Sequence, residues 1–276
     1  MRRQFRQVDV FGAMPYSGNP LAVVHRADGL TTDEMQRFAR WTNLSETTFL
    51  LSPDDDQADY KVRIFMPTGE LPFAGHPTLG TCHAWLEAGG QPRQDGVVIQ
   101  QCGAGLVTIA RDADGLRFAA PPVLRTGPVD EALAQRVADA LQLGRDEIVD
   151  MQWADNGPGW IAVLLGSADA VLAVRPLHAD LDIGIAGPHD PGGPADFEVR
   201  AFFPKDGAMA EDPVTGSFNA SLAQWLLATG RAQAPYLARQ GTALGCNGQV
   251  RISADSNGKI WVGGAAVTCV AGTVEL

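Results

Sequence analysis

Along the first half of the chain, apolar residues either alternate with polar ones or follow one another in short runs bounded by Gly, Pro and Asp. Gln4–Phe11, Leu21–Val24, Thr47–Leu51, Tyr60–Phe65, Val97–Ile99, Gly105–Ala110 and Gly115–Phe118 are read as strands on this pattern. The period changes at Thr31–Thr42, where Met35, Phe38, Ala39 and Trp41 recur at helical spacing behind the start signals Thr31, Thr32 and Asp33. In the second half, Glu147–Trp153, Trp160–Leu165, Phe197–Phe203, Gln249–Ser253 and Lys259–Val270 are expected strands. Asp130–Leu143 and Phe218–Ala228 are expected helices, and Thr78–Ala88 is their counterpart in the first half.

Two of these stretches repeat each other. Val62-Arg63-Ile64-Phe65-Met66-Pro67 matches Val199-Arg200-Ala201-Phe202-Phe203-Pro204 at an offset of 137. Glu70, Pro72 and Gly75 match Glu211, Pro213 and Gly216 at an offset of 141, so four extra residues fall in the Lys205–Ala210 turn. Weaker matches at 141, Asp9 with Asp150 and Gly18 with Gly159, carry the similarity toward the start of each half. A repeat on this scale predicts a duplicated domain. Pro121-Pro122 and Leu124–Pro128 form the linker, since consecutive prolines stop helix and ladder alike. The expected domains are residues 1–120 and 121–276. Many strands, few helices and no strict βαβ alternation predict an α+β class, with a curved sheet around a helix in each half. Gly187–Pro194, rich in Gly and Pro, is expected as a surface loop.

Each repeat ends in a glycine and a polar residue, Gly75-His76 and Gly216-Ser217, ahead of an expected helix. The first N–H groups of a helix lack internal partners and carry partial positive charge, and glycine lets a ligand come close. Two duplicated domains commonly face each other across a cleft, so the two glycine motifs are expected to meet there and cradle a carboxylate or enolate.

Composition narrows the partners. A formal net charge of −11, with no basic block beyond Arg2-Arg3 and Arg6, disfavours nucleic acid and anionic membranes. Cys82, Cys102, Cys246 and Cys269 are widely spaced and form no CxxC pair, which predicts reduced thiols and no zinc knuckle. No signal-like apolar stretch opens the chain and no apolar run reaches membrane length, so a soluble cytoplasmic protein is expected. The histidines show no metal-ligand spacing, and GxGxxG, GxxxxGK[ST] and the nucleophile elbow GxSxG are absent. A metal site, a nucleotide fold and a Ser–His–Asp hydrolase are therefore disfavoured.

Glu46 lies where the first amphipathic helix gives way to a strand, a junction at which side chains often face a cleft. A carboxylate partly withdrawn from water can take up and return a proton. The residue 141 further on is Gly187, so the second half shows no counterpart, which favours a single proton shuttle. His76 is a candidate to hydrogen-bond a substrate oxygen, and Asp212 to hold a substrate amine. Each also has a plainer reading: surface or cap for Glu46, helix start for His76 and Ser217, and dipole complement for Asp212.

Asp9-Val10-Phe11, Ser17-Gly18-Asn19-Pro20-Leu21-Ala22-Val23-Val24, Asn43-Leu44-Ser45-Glu46-Thr47, Glu70 to Gly80 and Glu211 to Ser217 occur together and in order. In this combination the chain resembles the PhzF-like phenazine-biosynthesis isomerase family. The resemblance implies a diaminopimelate-epimerase-like fold of two pseudo-symmetric domains, each a β-barrel-like sheet around a central helix. It implies an active site between the domains, a homodimer, and proton-transfer chemistry without a cofactor. The glutamate matching Glu46 is then the acid and base. Residues matching His76 and Asp212 hold the substrate's polar groups, and Gly75, Gly216 and Ser217 lie at its carboxylate. Amino-acid racemases of this fold carry a cysteine at each helix start, and this chain carries none there. Phe218 stands where the family commonly has alanine, and an inward-pointing ring would reshape the pocket. A non-catalytic ligand-binding protein and a cysteine-independent racemase are the rival readings.

Overall fold

The computed structural model describes every residue except 13, 114 and 206. Among the described residues the chain is an α+β protein of eighteen strands and five α-helices. In chain order the elements are β1 (Arg2–Val10), β2 (Asn19–Val24), α1 (Thr32–Thr42), β3 (Glu46–Leu51), β4 (Tyr60–Met66), β5 (Gly69–Leu71), α2 (Gly75–Glu87), β6 (Val97–Cys102), β7 (Gly105–Asp112) and β8 (Gly115–Ala119). There follow β9 (Arg125–Pro128), α3 (Glu131–Leu141), β10 (Ile148–Asp155), β11 (Ile161–Leu165), α4 (Ala168–Ala173), β12 (Ile183–Pro188), β13 (Phe197–Lys205) and β14 (Ala208–Asp212). The last are α5 (Gly216–Ala228), β15 (Tyr236–Gln240), β16 (Gly248–Ala254), β17 (Ile260–Gly264) and β18 (Ala266–Glu275).

Contacts divide the chain into two compact units, Met1–Ala119 with Gly263–Leu276, and Ala120–Val262. The sequence boundary near 120 kept residues 263–276 with the second half. Here the structure differs: β18 pairs antiparallel along β1 from Arg2 opposite Glu275 to Val10 opposite Ala266. Backbone N–H and C=O groups at an exposed edge need partners, and β18 supplies them to β1.

The duplication is visible in the ladders. From β18 the first unit runs β18-β1-β2-β3-β4-β6-β7-β8, with β2–β3 and β4–β6 parallel and the other joins antiparallel. From β9 the second unit runs β9-β10-β11-β12-β13-β15-β16, with β11–β12 and β13–β15 parallel and the other joins antiparallel. The order of senses is the same, and the hairpins β4–β5 and β13–β14 branch off at the same place. Neither ladder closes among the described residues. A parallel join needs a crossover, and in each unit helices supply it: α1 and α2 in the first, α4 and α5 in the second. The four extra residues of the second repeat lengthen the β13–β14 hairpin. Asp206, inside the Lys205–Ala210 turn, lies outside the described residues.

An ion pair is duplicated with the strands. Arg63 donates to both Glu70 carboxylate oxygens at 2.7 and 2.6 Å, and Arg200 to those of Glu211 at 3.1 and 2.8 Å. Each pair ties a long strand to its short hairpin partner directly ahead of a glycine-started helix.

The helix α2 is buried from Gly75 to Cys82 and again at Ala84, and it touches β1, β2, β3, β6, β8 and β18. Burial on all sides explains its weak amphipathic pattern. Gly80 permits the approach to the sheet, because a Cβ there would lie 2.6 Å from Leu21 Cδ2 and 2.7 Å from Val10 Cγ2. On the other side of the sheet α1 presents Met35, Phe38 and Ala39 to Val24, Phe49 and Phe65. Successive residues of β3 therefore point to opposite faces, with Phe49 toward α1 and Thr48 accepting a hydrogen bond from Thr81 of α2.

Several expectations move. The helices α2 and α5 begin at Gly75 and Gly216, earlier than Thr78 and Phe218. Lys259–Val270 breaks into β17 and β18 at Ala265, whose carbonyl accepts from Phe11 N–H at 2.7 Å. Gly187 and Pro188 belong to β12, not to a surface loop. Gly187 is buried where a Cβ would strike the Ser167 carbonyl, so its glycine serves close packing and not a turn.

Candidate active site

Glu46 opens β3 three residues after Asn43, whose left-handed backbone closes α1 and turns the chain into the sheet. Its place in β3 puts it on the same face as Thr48, toward α2. His76 is the second residue of α2. The two sequence-predicted residues meet there: His76 Nε2 lies 3.2 Å from Glu46 Oε2. The angle is poor for a hydrogen bond, so this is a close approach and not a formed bond. On the far side of the ring, Asn19 Nδ2 donates to His76 Nδ1 at 3.5 Å, which leaves the ring hydrogen on Nε2 toward the glutamate. Burial lowers the His76 pKa to about 3. The ring is therefore neutral at neutral pH, and Glu46 faces a dipole in place of a cation.

The starts of α2 and α5 share a feature that the larger set of helices lacks. Thr31, Asp130 and Ser167 cap α1, α3 and α4 with side-chain oxygens, whereas neither α2 nor α5 has a side-chain cap. The two glycine-started helices thus keep their first N–H groups clear of a built-in acceptor, the condition for binding an anion. The cap positions are Ala74 and Thr215, and the His76 and Ser217 side chains contact Asn19 and Trp160.

In the second unit, Asp212 ends β14 and accepts a 2.6 Å hydrogen bond from the Thr215 hydroxyl. Thr215 is held in turn by Gln240: its N–H donates to Gln240 Oε1 at 2.9 Å, and Gln240 Nε2 donates to its hydroxyl at 2.9 Å. Asn219 Nδ2 donates to the same Gln240 oxygen at 2.8 Å. Gln240 is fully buried, so this network sets the entry of α5. The first unit has a matching device, in which buried Gln100 donates to the Thr78 hydroxyl of α2 at 3.1 Å. Gly216 is the first residue of α5. The Ser217 hydroxyl accepts from the Trp160 indole at 3.1 Å, and its carbonyl accepts from Asn156 Nδ2 at 2.8 Å. Asn19 with His76 and Trp160 with Ser217 are therefore matching contacts, each member 141 residues from its counterpart. Phe218 is fully buried and covers Gly184, where a Cβ would fall inside its ring, so it packs into its own unit's sheet.

Sequence reasoning missed Asn19, Trp160, Thr215 and Gln240, and it misplaced one correspondence. Counting 141 from Glu46 leads to Gly187. The ladders lead elsewhere: Thr47 pairs with Phe65 and Ile183 with Phe202, and those two phenylalanines are matched in the repeat. The residue before Ile183 is Asp182, so the counterpart of Glu46 is a carboxylate. The signal was present in the sequence as Asp182-Ile183 against Glu46-Thr47, but the shorter crossover helix α4 shifts the offset. No thiol stands at either helix start. Cys82 lies further along α2, buried, with its pKa pushed up to about 12.

Comparison with known proteins gives the family of the chain. Antisense-enhancing sequence 1 of Schizosaccharomyces pombe is 35% identical over 292 residues, covering 97% of each chain. The trans-2,3-dihydro-3-hydroxyanthranilate isomerase of Pseudomonas aeruginosa is 34% identical over 226 residues, covering 78% of this chain and 77% of that protein. The crystal structure of a Bacillus anthracis PhzF-family phenazine biosynthesis protein superposes with a TM-score of 0.85 over the whole of both chains, and at 21% identity it speaks to the fold alone. With residues 8–272 matching the phenazine biosynthesis-like proteins, PhzC-PhzF, the chain belongs to that family.

Proposed function

We propose that this protein is a cofactor-independent isomerase that moves a proton on a small carboxylate-bearing substrate, with Glu46 as acid and base. The observation that carries this reading is the approach of Glu46 to a neutral, buried His76 at 3.2 Å. A carboxylate beside a cation would be a weaker base, and here the neighbouring ring carries no charge. Glu46 takes a proton from a substrate C–H and returns it elsewhere, and His76 polarises a substrate oxygen. Asp212, held in place by Thr215, orients the substrate's polar group. Gly75, at the uncapped start of α2, and Gly216 with Ser217, at that of α5, take up the carboxylate.

The relatives support the class of reaction, since several are named isomerases, three of them for trans-2,3-dihydro-3-hydroxyanthranilate. The family resemblance adds a homodimer to the proposal. None of the four cysteines forms a disulfide, which fits a reducing, cytoplasmic setting. No helix among the described residues is long and apolar enough to cross a membrane.

Proton NMR in D₂O tests the reading, with trans-2,3-dihydro-3-hydroxyanthranilate and a panel of small amino and hydroxy acids as substrates. Wild type is expected to isomerise one of them with deuterium entering from solvent. Glu46→Gln is expected to turn it over about 10²–10⁴-fold more slowly with its fold intact. Near-normal turnover by the folded Glu46→Gln protein rules out Glu46 as the proton carrier.

A further inference from the structure

The His76 ring is held from one side. Among the described residues its single hydrogen bond is with Asn19, whose Nδ2 lies 3.5 Å from His76 Nδ1. Both side chains are out of water, Asn19 at 0% and His76 at 4% exposure. Asn19 is the first residue of β2, where it pairs with Val10 of β1. Strand alternation puts it on the face of Leu21, which closes on Gly80 of α2.

The turn that delivers Asn19 is tied down by a second buried group. The Asp9 carboxylate accepts the Ser17 N–H at 2.9 Å and the Gly18 N–H at 3.0 Å. Gly18 has no room for a side chain, since a Cβ there would lie 2.2 Å from the Val10 carbonyl oxygen. The amide thus reaches His76 from a backbone with little freedom to move.

The internal repeat identifies the amide group that faces the ring. Trp160 stands 141 residues after Asn19 and Ser217 stands 141 after His76, and the Trp160 indole donates to the Ser217 hydroxyl at 3.1 Å. An indole N–H can only donate. Each unit by itself therefore sets a donor, where a strand begins, against the second residue of its glycine-started helix.

We infer that Asn19 is a positioning residue for the reaction: by donating to Nδ1 it keeps the His76 ring hydrogen on Nε2, the nitrogen 3.2 Å from Glu46 Oε2. The inference deepens the isomerase reading above and rests on it for the use made of that hydrogen. A neutral imidazole carries one hydrogen, so a donor at one nitrogen leaves it on the other. Only in that form does Nε2 offer an N–H to a substrate oxygen. With the hydrogen on Nδ1, Nε2 would present a lone pair beside a carboxylate.

The test reads the ring before any substrate is added. Long-range proton–nitrogen NMR spectra of the full-length protein, labelled in its histidines, report which ring nitrogen carries hydrogen at neutral pH, and His76→Gln assigns the signals. Wild type is expected to carry the hydrogen on Nε2 and none on Nδ1, and the opposite pattern overturns the inference. Asn19→Asp keeps the shape of the side chain but offers only an acceptor, and is expected to draw hydrogen to Nδ1. Asn19→Ala offers neither, is expected to show both tautomers, and serves if the new carboxylate prevents folding. A wild-type ring pattern in either folded variant shows that Asn19 does not set the tautomer. With the compound that wild type isomerises, Asn19→Asp is expected to form product about 10²-fold more slowly, the scale of losing one donor to developing charge. A reversed ring with product formation within about threefold of wild type, far short of that scale, overturns the role in the reaction. If wild type turns over no compound, the isomerase reading falls and that role with it, while the ring spectra still decide whether Asn19 sets the tautomer.

Discussion

His76 illustrates how much a residue's surroundings decide its chemistry. Its ordinary pKa of 6.5 falls to about 3 because the ring is buried, 4% exposed. A folded-state pKa below the unfolded one means the unfolded chain binds the proton first. The stability held by the neutral ring is full above pH 6.5 and drains away as the pH falls toward 3. At pH 5 the loss is on the order of 2 kcal/mol. His25, lowered to about 4 by burial, adds a loss of the same sign. Urea unfolding of wild type and His76→Gln at pH 7 and pH 5 measures this, and the variant should show the smaller fall. An equal fall would mean that water reaches the ring. Glu46, His76 and Asp212 could be put forward from the sequence because each lies within a short motif. Asn19 was not, because its partner His76 is 57 residues away and nothing local marks the contact.

At the scale of elements, one sequence feature has two physical outcomes. The duplicated pair Arg63–Glu70 is 23% and 38% exposed, whereas Arg200–Glu211 is 5% and 9% exposed. Arg200 also donates to the Val171 and Val174 carbonyls at 3.1 and 2.8 Å, closing the end of α4. Removing one partner of a buried pair leaves an uncompensated charge. Arg200→Met is therefore expected to cost about 3–5 kcal/mol, and Arg63→Met less than about 1 kcal/mol. Chemical denaturation compares them, and equal costs would show that burial does not set the difference. The strand β12 was missed for a related reason. Ile183-Gly184-Ile185-Ala186-Gly187-Pro188 has the composition of a loop at its end, yet its glycines make room for Phe218 and the Ser167 carbonyl. Only the packed neighbours reveal that use.

At the scale of the molecule, the C-terminal strand belongs to the unit that the chain built first. The β18 strand covers the edge of β1 along its whole length, and Leu276 N–H donates to the Met1 carbonyl at 3.1 Å. Ending the chain at Gly264 strips that edge and leaves a row of unpaired backbone groups open to other chains. The truncated protein is expected to fall largely into the insoluble fraction on expression. A soluble product with an unchanged melting midpoint would show that β1 does not need its partner.

Periodicity, turn residues and the internal repeat were enough to establish the α+β class, the duplication and a helix behind each glycine motif. These are local properties: burial of one face dictates the period, and Gly or Pro interrupts it. The family resemblance was also written in the sequence, since its motifs are short and ordered. Three matters were settled only by the folded chain. Edge hydrogen bonding assigns β18 to β1. Burial makes His76 neutral beside Glu46. Ladder register, which skips over crossover helices of unequal length, places Asp182 where a constant offset of 141 had put Gly187.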